Sequence, residues 1–466
     1  MQSSNHTISY GRHIRALSVL GIPIIVGQLG SIIQGLADTI MVGRFNAESL
    51  ASAGFVNNIM ILVLVFALGY SYAITPVIGP MHARGEFHEA GKALHAGVYA
   101  NGALGLLLFL LMGILYFFLG HMGQPEELLP IIRPYYIVVL ISIPFQSVFN
   151  AFKQFFDGIG NTRTPMWIMI SANLLNILGN WLLIYGIGPF PRLGLLGAGL
   201  STTLSRIFML AMIYGIFLYG NTYKKYHSGF RSSEGISVLR QRLHRLGTPI
   251  GLQMGMETAS FSLTAVMQGW IGAAPLAAHQ IMTNVGSTCF MIYYGIGAAV
   301  AIRVSHFHGV GDTANVRRSA LTGYLMILLT GLTLSGLIGT HITDICNLFT
   351  DDAEIRRITV SLIIPFVLYQ FGDGLQTNFG NALRGIADVK PLMRYAFLCY
   401  IAVSLPLSYL LGFTLHGESA GIWMAFPVAL TLAGALFCLR FFKQTRQPPG
   451  CPHSALSSDR PTKQAH

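Results

Sequence analysis

Three carboxylates stand where a carboxylate is costly. Asp38 lies in "QGLADTIMVGRF", Glu257 in "GLQMGMETASF" and Asp373 in "YQFGDGLQTNFG", each inside a long apolar run. An acid at the centre of a membrane helix costs roughly 2.5–3.5 kcal/mol on insertion scales. Such residues face a bundle interior or a wet cavity and mark ion paths. The remaining Asp and Glu of the 18 fall in expected loops or the C-terminal tail. Desolvation favours the neutral carboxyl, so a buried acid can take up and release a proton at working pH. Carboxylate and amide oxygens can instead cage a hard cation such as Na+. Either occupant neutralises the site. A cationic substrate would then be displaced, or the helices around it would repack.

Helical spacing gives each acid polar company. Ser31, Gln34 and Asp38 share one face, and Gln253, Glu257 and Ser260 share another. Tyr369, Asp373, Gln376 and Thr377 form a third stripe, and Asn176 and Asn180 repeat the i, i+4 interval in "NILGN". Other chemistries are excluded. There is no HExxH, no GxxxxGK[ST] and no Ser/His/Asp motif, and "HEAGK" (88–92) lacks a second His. Without a P-loop, an ion gradient must drive any transport. No cofactor is expected. Cys289, Cys346, Cys399, Cys438 and Cys451 form no CxxC and read as small apolar residues or inert thiols.

The elements that hold these stripes follow from composition. The 466 residues are 53% hydrophobic and 10% charged, with a mean hydropathy of +0.57. Soluble domains carry about 25% charged residues, so the chain is read as a polytopic membrane protein. Twelve apolar runs, from 16–42 to 417–442, are long enough to span. They are continuously apolar rather than alternating, which favours helices over a barrel. The polar "MQSSNHTISYGRHIR" precedes a run too long for a signal peptide, so the first run is expected to remain as a span. The net charge of +11 is distributed for a membrane, not for nucleic acid. With a cytoplasmic N-terminus, only Arg44, Arg133, Arg192, Arg356 and Arg357 fall in outward loops, and Arg206 lies in a span. All other Lys and Arg face inward, which places both termini in the cytoplasm of a cell-membrane protein.

The chain also repeats itself. When Pro23 is laid on Pro249, "GIPI" falls on "GTPI", Gly69 on Gly295, His82 on His308 and Gly85 on Gly311. Further on, "GIGNTR" (158–163) resembles "GIADVK" (385–390). Two six-span copies enter from the same side, so they are parallel repeats, which predicts two lobes with a cleft between them. The expected organisation is a cytoplasmic tail 1–15, a first lobe 16–219, a cytoplasmic linker 220–242, a second lobe 243–442 and a disordered cytoplasmic tail 443–466. The acids do not obey the repeat: Asp38 falls on Thr264, and Glu257 on Ser31.

"ADTIMVG" (37–43), "NILGN" (176–180), "PLAAHQI" (275–281) and "YQFGDGLQ…NALRGIADVKP" (369–391), in that order over most of the chain, resemble the multidrug and toxic compound extrusion (MATE) family in its NorM-like branch. The resemblance implies an all-α, V-shaped transporter of twelve transmembrane helices, exporting cationic amphipathic compounds in exchange for Na+ or H+. It implies ion or proton coupling at Asp38, Asn176, Asn180, Glu257 and Asp373. Na+ would sit at Glu257 and Asp373, or at Asp38, Asn176 and Asn180. Tyr369, Gln34, Gln253 and Gln376 are the expected cavity residues. In some relatives the position like Asn180 is an aspartate, whereas here the first lobe carries a single acid in its spans. Small organic cations, the coupling ion and the bilayer are the expected partners of a monomer. The rival is a flippase for lipid-linked saccharides, of similar architecture. A lipid diphosphate would favour cavity Arg and Lys, and the sequence offers only Arg206 in a span against three acids.

Overall fold

Backbone in hydrocarbon must satisfy its own N–H and C=O groups, which long apolar segments do as helices. The computed structural model describes residues 8–446 and, among them, contains no strand. Cys451, most of the expected C-terminal tail and the first seven residues lie outside the described residues. Twelve long helices account for most of the described residues. The first six are α1 (Tyr10–Phe45), α2 (Ala47–Ala83), α3 (Phe87–Tyr116), α4 (Leu129–Gly158), α5 (Arg163–Tyr185) and α6 (Leu195–Tyr219). The second six are α7 (Ile236–Ile271), α8 (Ala273–Gly309), α9 (Thr313–Phe349), α10 (Ile363–Gly385), α11 (Lys390–Thr414) and α12 (Glu418–Gln444). Ten of these are long and apolar enough to cross a membrane by length and composition. An eleventh span arises if α10 is joined to the helix Ala353–Ser361, which meets it at 46°. The remaining helix, α7, carries Gln253, Glu257, Ser260 and Thr264. The two helices that fall short alone are therefore the two that hold Glu257 and Asp373.

Local chemistry sets the ends and breaks. Asn46 separates α1 from α2 and caps the latter, its Oδ1 accepting from Ser49 N at 2.6 Å. α2 breaks at Tyr72 and Ala73 before resuming at Ile74. α1 starts at Tyr10, inside the stretch expected as a tail. The expected linker is partly helical, with Lys224–Phe230 packed on the start of α3. A Cβ on Gly229 would meet His88 O at 1.8 Å, so only glycine permits that contact.

α1–α6 pack into one lobe and α7–α12 into the other. The first lobe has two apolar cores. One gathers Val56, Tyr136 and Ile143; the other gathers Phe152, Phe155, Phe217 and Tyr226 at the Lys/Arg-rich end. Along α4, Gln146 lies between them and Asn150 one turn further on, so the middle of this lobe carries polar groups. The second lobe has one large core that includes Phe366, Tyr369, Trp423 and Phe426.

The lobes meet through α1 against α8 and through α2 against α7, two contacts exchanged by the repeat. Both crossings are made by glycine. A Cβ on Gly295 would lie 2.3 Å from Ile25 Cγ1, and one on Gly247 would lie 2.7 Å from Tyr70 O. Hydrogen bonds between lobes gather at the Lys/Arg-rich end. Tyr70 OH meets His244 Nδ1 at 2.6 Å, Tyr72 OH meets Tyr294 OH at 2.5 Å, His306 Nε2 donates to Gly158 O at 2.7 Å and Arg84 Nη1 to Gly309 O at 3.3 Å. Arg84 also holds the Glu86 carboxyl below its usual range through side-chain hydrogen bonds. Among the described residues no hydrogen bond joins the lobes at the opposite end.

Candidate functional site

In the first lobe α1 presents Asp38 half-buried toward α5. Asn180 Nδ2 donates to Asp38 Oδ1, and Gln34 Nε2 donates to Oδ2 at 3.2 Å from one turn earlier on α1. With the Asn176 nitrogen turned to the acid, Nδ2 donates to Asp38 Oδ1 at 2.8 Å, and Oδ1 accepts from Thr202 N and Oγ1, both at 3.2 Å. That orientation satisfies both ends of the amide. Asn180 Oδ1 is buried and accepts no hydrogen bond, so an oxygen remains free on the amide that touches the carboxylate. Ser31 does not join the group; its hydroxyl bonds Gly27 O in its own helix.

Beside this cluster is a cavity of about 290 Å³, between the two apolar cores. Gln34, Gln146, Asn150, Asn173, Lys153 and Arg206 contribute polar groups to its wall. Its size is near the lower end of small-molecule pockets, about 300 Å³. Arg206 Nη1 donates to Ser142 Oγ at 2.6 Å. Lys153 was expected in an inward loop and Asp157 in a loop. Both instead lie in the last turns of α4, buried, with Nζ 2.8 Å from Asp157 Oδ2. The apolar run in the sequence ends before the helix does, and the pair compensates its own burial.

In the second lobe α7 and α10 bring Glu257 and Asp373 to one amide. Gln376 Nε2 donates to Glu257 Oε1 at 2.9 Å and to Asp373 Oδ1 at 3.2 Å. Tyr400 OH, from α11, donates to Gln376 Oε1 at 2.9 Å and fixes which end of the amide faces the acids. Gln253 Nε2 reaches Glu257 Oε2 at 3.4 Å, and Tyr369 OH reaches Asp373 Oδ2 at 3.5 Å. Asp373 is buried and Glu257 half-buried. Among the described residues no basic nitrogen lies within 4.0 Å of Asp38, Glu257 or Asp373. The adjoining cavity, lined by Gln253, Glu257, Gln376 and Arg384, is about 30 Å³, the size of an ion or a water. Gln253 and Gln376 thus line a cavity as expected. Tyr369 lines none of those described, and its ring is packed among Phe261, Phe366, Trp423 and Phe426. No group of three or more His, Cys, Asp or Glu converges to hold a metal among the described residues.

A buried thread runs from this site to the lobe interface. Arg384, expected in an inward loop, is buried in the last turn of α10, and its Nη2 donates to Gln253 Oε1 at 2.7 Å. Its guanidinium lies 5.3 Å from the centre of the Tyr72 ring. A second small cavity is lined from both lobes by Tyr72, Asp157, Tyr294 and Arg384. Asp157 and Arg384 hold equivalent places in the two repeats, each immediately before the matching "GIGNTR" and "GIADVK" stretches. Gln370, one turn before Asp373, is a further buried amide, with neither end partnered by a hydrogen bond. Its place on the Asp373 stripe was the available signal.

A model of the MatE family matches residues 23–182 and again 249–410, well over half of the chain and once per repeat. A probable multidrug resistance protein NorM of Mannheimia succiniciproducens is 27% identical, over 96% of this chain and 97% of its own length. Another, of Bradyrhizobium diazoefficiens, is 29% identical over 92% and 93%. Among solved structures, the MATE transporter VcmN of Vibrio cholerae in its bent form superposes with a TM-score of 0.82 at 19% identity, over 94% of this chain and 98% of that one.

Proposed function

The chain belongs to the MatE family, and from that premise we propose that it is a multidrug efflux antiporter exporting cationic amphipathic compounds in exchange for Na+ or H+ by alternating access. Its family and relatives are transporters, not enzymes. Lobes 16–219 and 243–442 rock about the linker 220–242 in the cell membrane, with both termini cytoplasmic. The protein acts as a monomer and needs no cofactor.

One observation carries the reading. Two carboxylates without a basic partner share a single amide beside an ion-sized space, while the drug-sized space lies in the other lobe. Ion and compound are thereby given separate places. A proton or Na+ arriving between Glu257 and Asp373 removes charge that Gln376 and Gln253 now solvate. Gln253 then passes the change to Arg384, which faces the interface. In the first lobe Asp38, Asn176 and Asn180 offer carboxylate and amide oxygens for the same purpose, with Gln34 joining acid to chamber. With the hydrogen bonds between lobes gathered at the Lys/Arg-rich end among the described residues, this conformation is read as the outward-facing one.

Dye efflux from everted vesicles under an imposed Na+ or pH gradient tests the proposal. Asp38→Asn, Glu257→Gln and Asp373→Asn are each expected to lower gradient-driven efflux at least about tenfold, the effect of about 1.4 kcal/mol. Wild-type efflux in all three would remove the mechanism. A flippase for a lipid-linked saccharide stays as a second reading because Lys153 joins Arg206 on the chamber wall. Translocation of such a lipid, with no dye efflux, would favour it.

A further inference from the structure

We propose that the cavity between α3 and α7 is a binding site for the headgroup of an anionic phospholipid in the leaflet on the Lys/Arg-rich side. The cavity is about 460 Å³, is separate from the ion and drug sites, and joins the two lobes. Tyr99, Ala100 and Ala103 of α3 form one wall. Ser237, Arg240, Gln241, His244 and Arg245 of α7 form the other.

The α7 residues fall at helical spacing on one face. No acidic residue lines the cavity. Among the described residues neither Arg240 nor Arg245 forms a salt bridge to a carboxylate. α7 has 36 residues, about 54 Å of helix at about 1.5 Å per residue. A hydrocarbon core is only about 30 Å thick, so the first turns of α7, with "RQRLHR" (240–245), stand in the headgroup layer. Basic pockets between helices at this level bind anionic headgroups. Tyr99 is 56% exposed, with an amphipathic ring suited to the interface. The Arg240 guanidinium lies 4.7 Å from the centre of that ring, which orients it and leaves its N–H edge for phosphate. Ala103, exposed on the same face of α3, continues the wall as apolar surface beside the acyl chains.

The site has a consequence for the cycle. His244 is held by Tyr70 OH at 2.6 Å, within the contact that joins the lobes. A headgroup bridging α3 and α7 therefore favours the conformation in which the Lys/Arg-rich end is shut. The placement rests on the membrane orientation adopted above, but not on what is transported.

The test is lipid binding to the purified, delipidated full-length protein, measured by native mass spectrometry with phosphatidylglycerol or phosphatidylcholine. Each arginine near a surface adds about fivefold to anionic-lipid affinity. The wild type is expected to prefer phosphatidylglycerol, and Arg240→Gln/Arg245→Gln to lose about 30-fold of that preference. Arg242→Gln, which alters an exposed arginine at the same level but outside the cavity wall, is expected to lose no more than about fivefold. Equal loss in Arg242→Gln, or none in the double variant, would overturn the site. So would competition by inorganic phosphate at equal concentration, which would make it a site for the free anion. Because binding is read without transport, this result is independent of the efflux assay.

Discussion

Gln376 is the residue on which the second-lobe site turns. One amide nitrogen serves two carboxylates, and the amide oxygen is spoken for by Tyr400. Gln376→Ala leaves that hydroxyl and both acids without their shared partner. Each stranded buried group costs about 1–3 kcal/mol, so the variant is expected to unfold at lower temperature in detergent and to lose coupled efflux. Unchanged stability would mean that the amide is not holding the acids. The acids were legible in the sequence because a carboxylate in an apolar run needs a reason. So were Gln376, Gln253 and Gln34, which lie on the same helical faces. Tyr369 was legible as a neighbour of Asp373 but not as part of an aromatic packing cluster, because three of its four ring partners come from two other helices, α7 and α12. Lys153, Asp157 and Arg384 were hidden by their charge. A charge that ends an apolar run reads as a loop, and only the fold shows that Lys153 and Asp157 pair and that Arg384 turns back on Gln253.

At the scale of the helix, α7 shows both what sequence reveals and what it conceals. Its polar stripe lowers its hydropathy, so a purely apolar criterion passes over the span that carries Glu257. The "GTPI" match to "GIPI" nevertheless marks it as the counterpart of α1. The same match pointed to the glycines, although not to their use. Gly247 lets the Tyr70 carbonyl approach, whereas Gly255, two turns on, has nothing within 4 Å. Identical substitutions in one helix should therefore have opposite signs. Gly247→Ala forces backbone apart at a cost of about 1–3 kcal/mol. Gly255→Ala meets no neighbour and gains up to about 1 kcal/mol of helix propensity. Thermal unfolding in detergent is expected to separate them in that order. A shared sign would mean that the α2–α7 crossing is not set by glycine.

At the scale of the molecule, the repeat was legible because loop and glycine positions recur, and the family model's double match has the same register. The end at which the lobes part was not. Both crossings are encoded in sequence, yet the opening is a difference in conformation, and in the proposed cycle the same helices make and break contact. The divergence of the copies is likewise a property of the whole: the larger chamber lies in the first lobe and the paired acids in the second, so the proposed antiport requires the two to communicate across the interface. That requirement can be tested by preventing the interface from opening. A Cβ on Gly79 would sit 3.0 Å from Ser305 Cβ in the opposite lobe, within about 0.5 Å of the range a disulfide spans. In a background with the five native cysteines replaced, Gly79→Cys/Ser305→Cys is expected to cross-link under oxidation and to stop efflux. Reductant is expected to restore it, which separates a locked protein from a misfolded one. Full efflux with the bond formed would show that transport proceeds without parting the lobes at the Lys/Arg-rich end, and the alternating-access cycle would have to be abandoned.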